Sequence, residues 1–374
     1  MAGLYVHIPF CRSKCAYCDF YSTPDVSRMN SYVDALLTEL PLRMQEIDEP
    51  FTTLYLGGGT PSMLPVDLLT RMLEGIAEHI DLHRLEEVTI EANPEDIDSS
   101  TIRLFESSGI NRISIGSQSF HDEELAAVSR KHSASDALTA LDALSASGVN
   151  FNADLIYGLP GQSLGACEDN IERLLEYAPP HFAAYLLSYE PGTRLYAKLL
   201  KVEVAEASES MAHDMYAMLC EKASGAGYEH YEISNFALPG KKAVHNSLYW
   251  HYVPYIGIGA AAHSFDGKTR RINPGNVKLY IEKLRSGIKA CCEEEETIID
   301  RFNDYVITSL RTNDGFDASF ASSCFNNSLV NQFIANIRRM PPDALTKTPD
   351  GNYVIPEQKW LTADAVLREL ILDQ

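Results

Sequence analysis

Six short apolar segments punctuate the first half of the chain: LYVHIP (4–9), TTLYL (52–56), EVTIEA (87–92), RISIG (112–116), FNADLIY (151–157) and FAAYLLS (182–188). Rich in β-branched and aromatic residues, they predict strands. Between them the spacing turns helical. In SRMNSYVDALLTEL (27–40), Met29, Tyr32, Val33, Leu36, Leu37 and Leu40 fall on one stripe, and Pro41 is expected to end or kink that helix. VDLLTRMLEGIAEHI (66–80) and ASDALTALDALSASG (134–148) follow the same rule, with Gly148 as a stop. Strand, loop and helix repeated six times predict an α/β fold built from consecutive parallel βα units. A partial, open (β/α)6 barrel fits six units, and a doubly wound open sheet is the alternative. Both gather functional groups on the loops at the C-terminal ends of the strands.

Beyond about residue 235 this rhythm stops. HNSLYWHYVPYIGIGAAAHSF (245–265), rich in Tyr, Gly and His, precedes an amphipathic helix near 276–286. The acidic run EEEET (293–297) and the helical IIDRFNDYVITSLRT open a small, mainly helical C-terminal domain whose last element is LTADAVLRELIL, with Thr362 as its cap. The expected division is 1–235, a connecting segment 236–290, and 291–374.

The net charge of −21 argues against a broad nucleic-acid surface, which needs clustered Lys and Arg, and against docking on anionic lipid. No apolar run approaches the roughly 18 residues of a membrane span. MAGLYVHIPF has no basic region and no small-residue cleavage site, so no signal peptide is read and a cytoplasmic location is expected. Clustered cysteines in such a chain point to metal or redox chemistry, not to disulfides.

That cluster is FCRSKCAYCDF (10–20), with Cys11, Cys15 and Cys18 spaced C-x3-C-x2-C on the loop after the first strand. Three thiolates can hold three corners of a [4Fe–4S] cluster and leave the fourth iron open. The bland alternative is a zinc knuckle completed by His7 or Asp19. Cys167, Cys220, Cys291, Cys292 and Cys324 are scattered and read as small buried hydrophobes. LGGGTPSML (56–64) follows the second strand, where Gly58 and Gly59 would let backbone approach a ligand. No Gly-Lys-Ser/Thr follows, so it is not a nucleotide P-loop.

The cysteine spacing, with Tyr17 before the third thiol, resembles the signature of radical S-adenosylmethionine (SAM) proteins. Their core is a partial six-unit barrel, and their open iron is chelated by the amino and carboxylate groups of SAM. YVHIPFC, LGGGTPS, IEANPE, GSQSF and DLIYGLPGQ, in that order, resemble the family of oxygen-independent coproporphyrinogen III oxidases and their HemW haem-chaperone relatives, over nearly the whole chain. By resemblance, Tyr5, Tyr17, Gly58, Gly59, Thr60, Glu91, Gln118, Arg130 and Asp154 contact SAM. The last three help to hold a second SAM in the oxidases, so one or two molecules are implied, together with an electron donor to the cluster. A homodimer is compatible with the resemblance.

The run ends in Phe20, where the oxidases continue to a further cysteine used in decarboxylation. These enzymes also carry a longer segment before the cluster. VHNSLYW (244–250) resembles the H-N-x-x-Y-W motif of the chaperones. The resemblance therefore implies a haem chaperone that carries haem to acceptor haemoproteins, with His245 as candidate iron ligand and His251 and His263 as competitors. A coproporphyrinogen III oxidase is the principal rival, and a haem-degrading methyltransferase of the same family is another.

Overall fold

The computed structural model describes residues 1–373. The six expected strands are β1 (Ala2–Ile8), β2 (Phe51–Gly58), β3 (Glu87–Ala92), β4 (Arg112–Gln118), β5 (Asn150–Tyr157) and β6 (His181–Leu186). They pair in parallel in sequence order. A doubly wound sheet reverses its strand order at a switch point. Here each unit adds on the same side, and right-handed crossovers then put the helices on one face, so the sheet curls into a partial barrel.

The intervening helices are α1 (Met29–Arg43), α2 (Val66–Ala77), α3 (Ser99–Ser107), the short α4 (Asp122–Ala127), α5 (Ala134–Ser147) and α6 (Leu164–Glu176). Pro41 does not end α1, which runs on to Arg43. A proline so near the end removes one backbone donor in the last turn, and the Met44 N–H still reaches the Leu40 carbonyl. Gly148, left-handed at φ 77°, closes α5 as expected.

Strand alternation sorts the two faces. Leu4, Val6, Ile8, Leu54, Leu56, Val88, Ile90, Ile113 and Ile115 are fully buried in the core, while Tyr5, Tyr55, Glu91, Ser114 and Asp154 occupy the opposite, inner face and line a cavity. The barrel wall is thus apolar outward and polar inward.

After α7 (Arg194–Leu200) and α8 (Glu209–Gly225), β7 (Glu229–Glu232) and β8 (Asn235–Ala237) extend the sheet antiparallel beyond β6. Residues 236–290 supply α9 (Val244–Trp250), β9 (Tyr255–Ile258), β10 (His263–Phe265), β11 (Arg270–Ile272) and α10 (Val277–Arg285). β9 lies parallel to β1, and β10, β11 and β12 (Cys292–Glu293) continue outward, for twelve strands in all.

Helices α11 (Ile298–Ser309), α12 (Ala318–Cys324), α13 (Asn327–Ile337) and α14 (Ala363–Leu370), with the hairpin β13 (Thr346–Lys347) and β14 (Tyr353–Val354), pack around Phe302, Phe316 and Phe333. Thr362 stands at the N-cap of α14 but does not cap it; its hydroxyl donates back to the Lys359 carbonyl, because a 3-10 turn (Glu357–Thr362) runs straight into the helix. Among the described residues no helix is long and apolar enough to cross a membrane.

Candidate functional site

A cavity of about 720 Å³ opens at the C-terminal ends of β1–β6. All three clustered cysteines line it, as do Tyr5, Tyr17, Gly58, Gly59, Thr60, Glu91, Gln118, Arg130 and Asp154. The histidines singled out in the sequence, His7, His245, His251 and His263, are not part of its wall.

The cysteine loop is pinned at its base. His7 accepts from the Tyr5 hydroxyl at Nδ1 (3.0 Å) and donates from Nε2 to the Tyr21 carbonyl (3.1 Å), tying β1 to the chain just after the third cysteine. Burial lowers the His7 pKa and keeps the ring neutral. Both nitrogens are spent, so His7 cannot complete a zinc site. Nor do the three sulfurs converge within 4.8 Å of one another, whereas ligands on one tetrahedral zinc stand about 3.8 Å apart. A multi-iron cluster spans the wider gap. Burial pushes the Cys11 thiol up and the Cys18 thiol to about 11; a bound cation reverses that preference. The Arg130 guanidinium donates to Cys15 Sγ (3.4 Å), and the Thr60 hydroxyl lies 3.6 Å from Cys11 Sγ.

The glycine loop follows β2. Gly58 has φ 111°, and a Cβ there would stand 2.6 Å from the His7 ring. A Cβ on Gly59 would meet the Phe10 carbonyl at 2.7 Å and Pro9 at 2.8 Å, the backbone leading into Cys11. These glycines therefore let the loop lie against the cysteine run, a closer constraint than room for a ligand.

Glu91 holds this loop from below. Its carboxylate accepts from the Gly58 N–H (3.0 Å) and the Tyr55 hydroxyl (2.9 Å). Burial raises its pKa to about 7, against the pull of the Tyr55 bond. Asp154, also buried, is pushed up to about 6, although Asn152 donates to it at 2.7 Å. Two carboxyls poised near neutrality in a polar cavity are a common mark of a ligand site.

Arg130 donates to the Gly116 carbonyl (2.8 Å) and Asn93 (3.3 Å), while its Nε is buried without a partner. Gln118 (φ 65°) and Ser129 (φ 61°) adopt left-handed backbone beside it, a conformation that costs a non-glycine residue about 1–3 kcal/mol and collects at functional sites. Asn93, Tyr55 and Tyr249 also line the cavity and were not singled out in the sequence. Asn93 lies in the IEANPE motif, and Tyr55 shares the alternation that points Tyr5 inward.

His245 is fully buried beneath the cavity. Nδ1 lies 2.7 Å from the Thr53 hydroxyl, Nε2 lies 2.8 Å from the Tyr249 hydroxyl, and the ring stacks on Tyr55. Burial and the nearby Arg112 lower its pKa to about 3. The backbone N–H groups of Val244 and His245 donate to Glu87, seating α9 across the lower end of the barrel. In this arrangement the imidazole offers no free nitrogen to iron. His251 bonds Asp314 (3.0 Å), and His263 is exposed on β10. Of the scattered cysteines only Cys167 is buried; Cys292 and Cys324 are exposed, contrary to the reading from sequence.

The sequence profile of the Radical SAM superfamily matches residues 5–174. The "Heme chaperone HemW" of Bacillus subtilis is 30% identical over 371 residues, 98% of each chain. That of Escherichia coli is 35% identical over 314 residues (80% of this chain, 82% of the other), and that of Lactococcus lactis 38% over 280 (74% and 73%). The solved coproporphyrinogen III oxidase (HemN) of Escherichia coli superposes with a TM-score of 0.83 at 22% identity, covering 99% of this chain and 90% of that one.

Proposed function

The chain belongs to the HemW haem-chaperone branch of the radical SAM superfamily, and on that premise we propose that it binds haem and delivers it to acceptor haemoproteins. The observation that carries the proposal is similarity to HemW chaperones along nearly the full length. The likeness in fold to the oxidase does not weigh against it, since one fold hosts many functions. Phe20, 67% exposed at the cavity rim, has no atom that could ligate iron or carry a proton.

On this reading residues 1–235 form the SAM-binding core, 236–290 carry the haem motif, and 291–374 pack against both. Cys11, Cys15 and Cys18 hold a [4Fe–4S] cluster, which the spread of their sulfurs fits. The cluster, when bound, supplies an electron and an open iron site for SAM. A cavity of about 720 Å³ falls within the roughly 300–1,000 Å³ of small-molecule sites. Gly58, Gly59 and Thr60 border the SAM amino group, Glu91 accepts hydrogen bonds from beneath, and Tyr17 and Arg130 close the side next to Cys15. Gln118 and Asp154, together with Arg130, would border a second SAM. The cytoplasm is the proposed location, with a soluble reductant for the cluster.

Anaerobic reconstitution followed by parallel assays tests the proposal. Haem should bind with a shifted Soret band and pass to an apo-haemoprotein, while coproporphyrinogen III with SAM and reductant should not turn over. Clear decarboxylation would return the chain to the oxidases.

A further inference from the structure

Away from the cavity, two donor side chains ten residues apart and a third from far along the chain meet at the seam between α8, β7 and the C-terminal region. Cys220 projects from α8, His230 from β7, and Glu357 from the start of the last 3-10 turn. Cys220 Sγ lies 3.8 Å from His230 Nδ1, which lies 2.8 Å from Glu357 Oε1. All three donor atoms fall within 4.8 Å of one another, and among the described residues no other such group of His, Cys, Asp and Glu occurs. The imidazole is held in place. It stacks on Phe236 at 4.1 Å and 11°, and Trp360 meets its edge at 4.5 Å. Its Nε2 is buried without a partner.

A nucleophilic Cys–His–acid arrangement would place thiol and carboxylate on opposite ring nitrogens. Here both address Nδ1, which is the geometry of convergent ligands. We propose that Cys220, His230 and Glu357 form a binding site for one divalent transition ion of the zinc class, with water in the fourth position.

The donor set of one thiolate, one imidazole and one carboxylate suits a borderline ion such as Zn²⁺ or Co²⁺. Zinc–sulfur and zinc–nitrogen bonds of about 2.3 and 2.0 Å put S and N roughly 3.5 Å apart in a tetrahedron, close to the 3.8 Å observed. Only the Glu357 oxygen must draw back by a few tenths of an ångström, and its side chain, 47% exposed, is free to do so and leaves an entry path. Without an ion, burial and the Glu357 charge push the Cys220 thiol to about 12; a divalent cation reverses both effects. Binding releases the thiol proton to solvent and moves the imidazole proton from Nδ1 to Nε2, so one proton leaves per ion bound. The ion would fasten α8 and β7 to the C-terminal region across a sequence separation of 127 residues.

The test uses the full chain carrying Cys11→Ser, Cys15→Ser and Cys18→Ser, which removes the rival thiolates. Anaerobic titration with Co²⁺ should saturate at a single equivalent, with a thiolate-to-cobalt charge-transfer band, the d–d absorption of tetrahedral cobalt and release of one proton. Zn²⁺ should displace it. Adding Cys220→Ser should abolish the charge-transfer band, and Glu357→Gln, at a half-exposed position, should weaken binding at least tenfold with the fold intact. Absence of saturable binding at about 0.1 mM Co²⁺, roughly the weakest affinity a dedicated site would show, overturns the proposal. So does a charge-transfer band that survives Cys220→Ser, or affinity unchanged by Glu357→Gln.

Discussion

Replacing Glu91 by Gln should stabilise the protein at alkaline pH while weakening its ligand site. The carboxyl sits in the barrel with its ordinary value of 4.5 raised to about 7 by burial. At about 1.4 kcal/mol per pH unit, that rise corresponds to roughly 3 kcal/mol. The sign follows from the direction. A carboxyl whose folded pKa is raised contributes stability in full below its unfolded pKa, and loses it as pH climbs through the folded value. Wild-type protein should therefore weaken between about pH 4.5 and pH 8 by up to roughly 3 kcal/mol through this residue alone. Gln cannot ionise, yet its carbonyl can accept from the Gly58 N–H and its amide can donate to the Tyr55 oxygen, the two partners Glu91 has now. Urea denaturation of cluster-free wild-type and Glu91→Gln protein, run side by side near pH 5 and near pH 8, isolates the effect, because other titrating groups are common to both. The two proteins should differ by less than about 1 kcal/mol near pH 5 and by roughly 3 kcal/mol, in favour of the variant, near pH 8. In cluster-loaded protein the same variant should bind SAM more weakly, a trade of function for stability seen where active sites bury charge. A difference that does not change with pH would refute the reasoning.

Cys11→Ser, Cys15→Ser and Cys18→Ser should each abolish the cluster of about four irons per chain, whereas Cys291→Ser and Cys324→Ser should leave iron and sulfide content unchanged. Gly59→Ala should weaken SAM binding at least tenfold, or about 1.4 kcal/mol, and lower the thermal midpoint, since its methyl group would press on the backbone before Cys11; calorimetry on cluster-loaded protein checks the first and a melting curve the second. Iron can reach His245 Nε2 only if the Tyr249 hydroxyl gives way, a hydrogen bond worth about 0.5–1.5 kcal/mol. Tyr249→Phe should thus tighten haem binding several-fold and His245→Ala should alter the Soret band; loss of binding in His263→Ala alone would move the ligand to His263.

The six central strands were legible because their β-branched runs are bracketed by helical spacing. The shorter β9 to β12 were not, since YIGI (255–258) is embedded in glycine, tyrosine and histidine and becomes a strand only by pairing with β1. Pro41 misleads because propensity describes a helix interior and its place is the last turn. At the site, the C-terminal ends of the strands gather the motif residues as the βα rhythm implies. The role of Gly59 as a spacer against Pro9 and Phe10, and the burial of His245 between Thr53 and Tyr249, depend on contacts between segments tens to hundreds of residues apart. No local pattern encodes them.

The place of β1 bears on how the chain is made. β1 is an interior strand, and the neighbour that covers its far edge, β9, is synthesised roughly 250 residues later. At about 5–20 residues per second, that edge and the three thiols following it wait on the order of ten to fifty seconds before the sheet around them can be completed. An unpaired strand edge invites association with other chains. Completing the barrel is consequently a late, long-range event, and iron delivered before release would meet a half-built socket. Expression with slowed growth and ample iron and sulfide should favour filled protein over aggregate for this reason.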